Sequence, residues 1–283
     1  CDSNRKYFNQ DLSGWDTSKV TNMESTFIGA SSFNGDISRW DTSKVMTFLR
    51  TFRDASAFNG DISRWNTSRV TSLEQTFQTA IDFNGDLSRW ITSSVTSLSY
   101  TFFDSYVFNR DVSRWDTSRV TNMLNTFRDA NAFNEDLSGW DTSRVTTLAG
   151  TFFTASSFNG DISDWDTSSV TNIWGMLYGS TSFNGDISLW DVSQVSSDFD
   201  STTFYNTNSL RECTKKLMYD SWYTNPSLDM NTAGYSSWAT TSTCCIMTRS
   251  ELKVHVDQWI VNSTNHPCGE VIGDWDVSRV TDM

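Results

Sequence analysis

The sequence predicts a repeat solenoid with short stacked β-strands on one side, short helical segments on the other, and a small helical insert. Three observations carry that prediction. Trp15, Trp40, Trp65, Trp90, Trp115, Trp140, Trp165 and Trp190 recur every 25 residues without an insertion or deletion, so each copy fills one coil against two neighbours. Met23, Phe27 and Ala30, like Leu73, Phe77 and Ala80, have the spacing of one face of a short helix. The segments around Asp36-Ile37-Ser38 and Val45 are brief and bounded by Asn-Gly and Asp-Thr-Ser turn formers, as strands joined by turns would be. At a strand spacing of ~4.8 Å, eight coils make an array about 40 Å long with an extended surface in place of a deep pocket.

The repeat, F-N-x-D-x-S-x-W-D-T-S-x-V-T-x-M, assigns roles by column. Its Trp, Phe, Val and Met or Leu positions, filled in coil after coil, are the stacked core. The column from Asn9 and Asn34 to Asn184 is expected to satisfy turn backbone groups as a ladder. Asp11, Asp36, Asp61, Asp86, Asp111, Asp136, Asp161 and Asp186 stack about 5 Å apart, where like charges repel by about 0.8 kcal/mol even in water. Local hydrogen bonds to backbone N–H groups offset this; calcium shared between coils is the alternative, weakened where Asn66 and Ile91 interrupt a second Asp column. Basic columns, Arg39, Arg64, Arg89 and Arg114 among them, are candidate contacts that give way to Asp164 and Leu189, so the long axis is polar and suits head-to-tail assembly or an oriented partner.

The outer face grows more apolar along the array, and Phe103, Phe153, Trp174 and Tyr178 form a candidate partner-contact site unless the insert folds back over them. The next Trp, Trp275, is out of phase. Residues 1–204 are therefore read as the eight-coil array, 205–270 as a helical, disulfide-containing cap and connector, and 271–283 as the start of a second array. Capping boxes at Ser209-Leu210-Arg211-Glu212 and Thr248-Arg249-Ser250-Glu251 predict two helices in the insert. Cys213, Cys244, Cys245 and Cys268 match no metal-site spacing and are disulfide candidates, with the pairing open. Asn66 and Asn262 head N-glycosylation sequons. The start at Cys1 without an initiator Met suggests a processed or partial chain. The near-match in register of its two ends fits one period of a longer tandem protein, or a chain that simply stops there.

Phe33-Asn34-Gly35-Asp36-Ile37-Ser38-Arg39-Trp40-Asp41-Thr42-Ser43-Lys44-Val45 and Trp115-Asp116-Thr117-Ser118-Arg119-Val120-Thr121-Asn122-Met123 resemble the 25-residue repeat of BspA-like surface proteins, first catalogued in mycoplasma lipoproteins. The resemblance covers about residues 8–204 and resumes at Gly273–Met283. It implies a leucine-rich-repeat-like solenoid, an extracellular or cell-surface location and a role in adhesion.

Composition narrows the function further. With 34 acidic against 21 basic residues, a net charge of -13 argues against a nucleic-acid partner. No apolar run is long enough to span a membrane. Two histidines, His255 and His266, no phosphate loop and no unique acid pair argue against an enzyme and leave no catalytic residue or cofactor to name. The expected function is an extracellular structural or adhesive module, one segment of a larger surface protein or filament, whose partners are other copies of itself or other surface proteins. The alternative is a carbohydrate- or ice-binding module using the Thr, Ser and Asp columns, among them Thr17 to Thr167 and Thr71 to Thr171.

Overall fold

The 25-residue period brings equivalent side chains face to face. A computed structural model describes residues 5–195, 199–225, 228, 230–231 and 233–240. In it Trp rings of neighbouring coils stack nearly parallel at 6.0–6.5 Å, as Trp15 does on Trp40 and Trp165 on Trp190. The Phe8 to Phe183 column stacks at 5.7–6.1 Å. A second column, Phe27, Phe52, Phe77, Phe102, Phe127 and Phe152, stacks at 5.4–5.7 Å and packs flat on the first within each coil. Val45, Val70, Val120 and Val145 close the core beside them. Each fully buried Phe contributes about 1.5–3 kcal/mol, and ring stacking adds about 0.5–1.5 kcal/mol per pair.

Backbone bonds between coils explain the local structure. Met23, Ser25, Phe27 and Gly29 donate their N–H groups to the carbonyls of Thr47, Leu49, Thr51 and Arg53 in the next coil. The intervening amides bond locally, Thr26 to Met23, Ile28 to Ser25 and Ala30 to Phe27. Alternate amides can point outward only if the chain reverses its twist, and Ser25 and Gly29 accordingly have φ of 57° and 68°. The limb expected to be helical is thus a run of overlapping turns, whose amides serve the neighbouring coil and are not free for bonds within a helix. Of the two places where strands are expected, the one beside the Val45 column holds isolated parallel bridges, Ser72 with Ser97, Ser97 with Asn122, Asn122 with Thr147 and Thr147 with Asn172, and the one around Asp36-Ile37-Ser38 is a turn closed by Ser38 N–H on the Asp36 carboxylate.

The eighth coil departs from the period. Phe27 bonds to Thr51, but Leu177 bonds to Thr203 and Gly179 to Tyr205, two positions further on. The array does not stop at residue 204, because Leu210 takes the place of the next Phe in the column, its N–H on the Thr207 carbonyl as Phe33 is on Ala30. Ser209 donates its backbone N–H to Thr181 in the previous coil and stands two residues before Arg211, which holds the cap position that the sequence assigns to Ser209. The helix α1, Glu212–Trp222, starts after Arg211, with no side-chain cap.

The apolar face of α1 covers the last coil. Leu217, Met218 and Trp222 are buried, with Trp222 6.0 Å from Phe204 and edge-on to Phe199. Tyr235 joins them, its hydroxyl accepting from Phe204 N–H at 3.1 Å and donating to the Asp200 carbonyl at 2.9 Å. Burial pushes that phenol well above its ordinary value. Cys213 is disulfide-bonded. The expected roles of Cys244, Cys245, Cys268, Asn262, the second capping box and residues 271–283 lie outside the described residues.

Candidate functional site

Two left-handed residues bracket the outer turn of each of the first seven coils, Tyr100 and Asp104 in one and Asn125 and Asp129 in the next. Between them lies a half-buried position occupied in turn by Ile28, Arg53, Gln78, Phe103, Arg128, Phe153 and Tyr178, and then by the exposed Tyr205. The early members are polar or aliphatic, and Arg50 Nε bonds to Gln75 Oε1 at 2.6 Å on the same face. From Phe103 onward the column becomes a continuous strip. The Arg128 guanidinium sits 5.5 Å from the Phe103 ring and 4.1 Å from that of Phe153, within cation–π range of both. Phe153 stacks on Tyr178 at 4.3 Å, Tyr178 on Tyr205 at 5.1 Å, and Trp174 flanks Phe153 at 6.0 Å.

Small residues make room for this strip. Gly175 has φ of 57°, and a Cβ on it would approach the Phe153 ring to 3.1 Å. An acidic fringe runs beside the rings. Arg128 Nε pairs with Asp129 at 3.3 Å, and the Thr154 hydroxyl donates to the same carboxylate. Burial, then the neighbouring Asp129 charge, raises the Asp104 carboxyl above its ordinary range. The strip therefore offers ring edges, phenol hydroxyls and a ring-held guanidinium to a partner.

The structure brings Phe103, Phe153, Trp174 and Tyr178 onto this one strip, with Phe103 reached through Arg128. Sequence reasoning passed over Arg128 and Tyr205. The 25-residue step places Arg128 between Phe103 and Phe153 in the outer column, but its contact with both rings appears only when the coils stack, and the two extra residues of the eighth coil hide Tyr205. The described part of the insert, α1 with Tyr235 and Trp238, packs on the end of the array, and Trp174 and Tyr205 are exposed.

The other candidate columns are engaged locally. Asp11, Asp36, Asp61, Asp86, Asp111, Asp136, Asp161 and Asp186 each accept the N–H of the serine two residues on, at 2.9–3.0 Å. Those serine bonds hold Asp36, Asp61, Asp86 and Asp111 below the usual carboxylate range, and the exposed Arg39, Arg64, Arg89 and Arg114 add a smaller pull the same way. Among the described residues no group of three or more His, Cys, Asp or Glu side chains gathers around a metal-sized site. Asn66 is exposed and closes the same turn as the aspartates, accepting from Ser68 N–H. Each asparagine Oδ1 from Asn9 to Asn159 accepts the N–H of the next asparagine at 2.7–3.1 Å, and Asn184 ends the ladder on Arg211. The Thr17 to Thr167 column is buried, with hydroxyls such as Thr17 and Thr117 donating to the next coil's carbonyls. Thr71, Thr96, Thr146 and Thr171 are exposed and donate to the preceding coil.

The family model described as "Mycoplasma protein of unknown function, DUF285" matches residues 2–113 and 96–217, more than half of the chain. The chain belongs to the DUF285 family. The two overlapping matches cover the coil stack of this DUF285 chain and run into α1, in keeping with a repeat protein of the cell surface. Neither a curated protein nor a solved structure gives a significant match. Among the described residues no helix is long and apolar enough to cross a membrane.

Proposed function

We propose that the coil stack is a leucine-rich-repeat-like solenoid of the BspA-like kind, working outside the cell as a structural or adhesive module. It contacts other surface proteins, copies of itself included, along an extended rigid face, so that several weak contacts add to one firm attachment. The observation that carries this reading is the strip Phe103, Arg128, Phe153, Tyr178 and Tyr205 with Trp174 beside it, because aromatic and arginine side chains clustered on an exposed face are the usual anchors of protein interfaces. A glycan is less well served than a protein. Sugar stacking needs open ring faces, and the rings of Phe153 and Tyr178 cover one another while Tyr205 keeps a face exposed.

The test is adhesion of the immobilised chain to purified extracellular-matrix proteins and to a glycan array, for wild type and for Arg128→Ala/Phe153→Ala/Tyr178→Ala. Protein binding that falls about tenfold or more in a variant with unchanged circular dichroism is the expected result. Glycan binding retained by the variant, with no protein binding by wild type, would replace this reading with the carbohydrate one.

A further inference from the structure

The outer face changes character at the coil of Phe103. Asp54, Asp104 and Asp129 hold equivalent places in their coils. Arg53 stands before Asp54 and pairs with it at 3.4 Å, and Arg128 stands before Asp129 and pairs with it at 3.3 Å. In the coil of Asp104, Phe103 takes the arginine's place. Burial and then the Asp129 charge raise the Asp104 carboxyl, with Asp54 adding to them, and the Tyr106 hydroxyl and Arg128 offset this in part. Apolar surface lies on both sides of that carboxylate. Tyr100 and Phe103 meet at 5.5 Å on one side. On the other, Tyr106 and Val107 are 41% and 43% exposed, where equivalent residues are Ser56-Ala57 two coils back and Ser156-Ser157 two coils on. The same stretch is short of hydrogen-bond donors. Gln78 Oε1 and Asn125 Oδ1, in the coils on either side of Phe103, are buried without a hydrogen-bond partner, and Asn125 is only 6% exposed. The Asn125 oxygen occupies the place of a side chain at Gly150, a place 3.8 Å from the Phe153 Cβ, so it points along the strip. Arg53 Nε, a buried donor without a hydrogen bond, has the Asp54 carboxylate 3.4 Å away.

We propose that Asp104 anchors a lysine or arginine side chain of the protein partner, held between Phe103 and Tyr106, with an apolar neighbour of that side chain resting on Val107. The inference rests on the proposed function and names the chemistry of its partner, a basic segment of another surface protein. Three features converge on it: a carboxylate without an arginine from its own coil, exposed apolar side chains on either side, and acceptors that lack donors. A cation supplies the donors and lies against rings whose faces attract positive charge, as Phe103 and Phe153 already hold the Arg128 guanidinium. It also offsets the repulsion between Asp104 and Asp129, a cost the free chain carries and the complex does not. The rings supply contact area, and the carboxylate selects the sign of charge that the partner brings. A second copy of the chain fits less well. Each copy carries a net charge of -13, and its Arg39, Arg64, Arg89 and Arg114 already act on the aspartates beside them.

Titration calorimetry of the full chain with a short synthetic peptide carrying paired lysines beside a leucine, and with the same peptide carrying glutamates, tests it. Wild type is expected to bind the lysine peptide about tenfold or more tighter than the glutamate one. Asp104→Asn should weaken binding of the lysine peptide about tenfold, the effect of one close charge pair, and Asp104→Glu should keep most of it. Asparagine tolerates the left-handed backbone that Asp104 adopts at φ of 56°, so Asp104→Asn should keep the circular dichroism of wild type. Asp164→Asn removes the same charge beside the Trp165 column and should change binding by less than about twofold at physiological salt. Equal losses in Asp104→Asn and Asp164→Asn would mean general attraction to an acidic chain and overturn the proposal. So would Asp104→Asn binding as wild type does, or a wild type that binds neither peptide or prefers the glutamate one. Adhesion to matrix proteins separates this inference from the reading beneath it. Adhesion lost in Arg128→Ala/Phe153→Ala/Tyr178→Ala but unchanged in Asp104→Asn removes the inference and keeps the proposed function. Peptide binding that depends on Asp104, in a wild type that adheres to no protein, removes the adhesive reading and keeps the cation site.

Discussion

At the residue scale, a repeat position is only as tolerant as its surroundings in its own coil. Gly14 and Gly160 illustrate this. A Cβ at Gly14 meets nothing within 4 Å, and equivalent positions carry Arg39, Asp164 and Leu189. A Cβ at Gly160 would press into the Glu135 carbonyl oxygen and lie 3.0 Å from the Phe158 ring; the oxygen belongs to the backbone and cannot swing away. Gly160→Ala should therefore cost about 1–3 kcal/mol, whereas Gly14→Ala should stay within about 0.5 kcal/mol, both read from denaturant unfolding. The polar columns were more legible than the glycines. Asp before Ser two residues on, and Asn repeated at one position, both announce side chains that accept backbone N–H groups, and the chain uses them so. Arg128 was not legible as part of the site, because its two aromatic neighbours lie in other coils.

At the scale of the coil, the stack behaves as a sum of nearest-neighbour contacts. Phe102 is fully buried between Phe77 and Phe127 and lies flat on Phe108. Phe102→Ala should cost about 3–5 kcal/mol, the range for emptying a closed aromatic site. Phe8, half-buried in the first coil and stacked among the described residues on Phe33, should cost about 1–2 kcal/mol when changed to Ala. Thermal and urea melts of the two variants side by side check the ratio. Met23, Phe27 and Ala30 do share one buried face, as their spacing indicated, yet the backbone beneath them is a ribbon of turns. Apolar spacing reports which side is buried. It does not report where the amides go, and Arg50, Gln75 and Tyr100 give no hint that their φ is positive.

For the whole molecule, the carboxylate columns set the response to acid. Hydrogen bonds from serine hold Asp86, Asp111 and Asp116 below the ordinary 3.8 in the folded chain. A lowered folded value means the charged form is favoured by folding, so this stabilisation is present above the unfolded value and is lost as pH falls through the folded one. The melting temperature should therefore drop as pH goes from about 4 to about 2. Asp86→Asn/Asp111→Asn/Asp116→Asn should lose less over the same range, since asparagine makes the same turn at Asn66 without titrating. The sequence alone determined the period, the core columns, the Asx turns and the asparagine ladder, because each depends on residues within one coil or on strict recurrence between coils. Tertiary structure alone decided three other features: the left-handed turns, the two-residue lengthening of the eighth coil that keeps Leu210 in the core, and the joining of Phe103, Arg128, Phe153 and Tyr205 into one strip. The physical reason is common to all three. Their hydrogen-bond and ring partners lie a coil away, and only stacking brings those partners within reach.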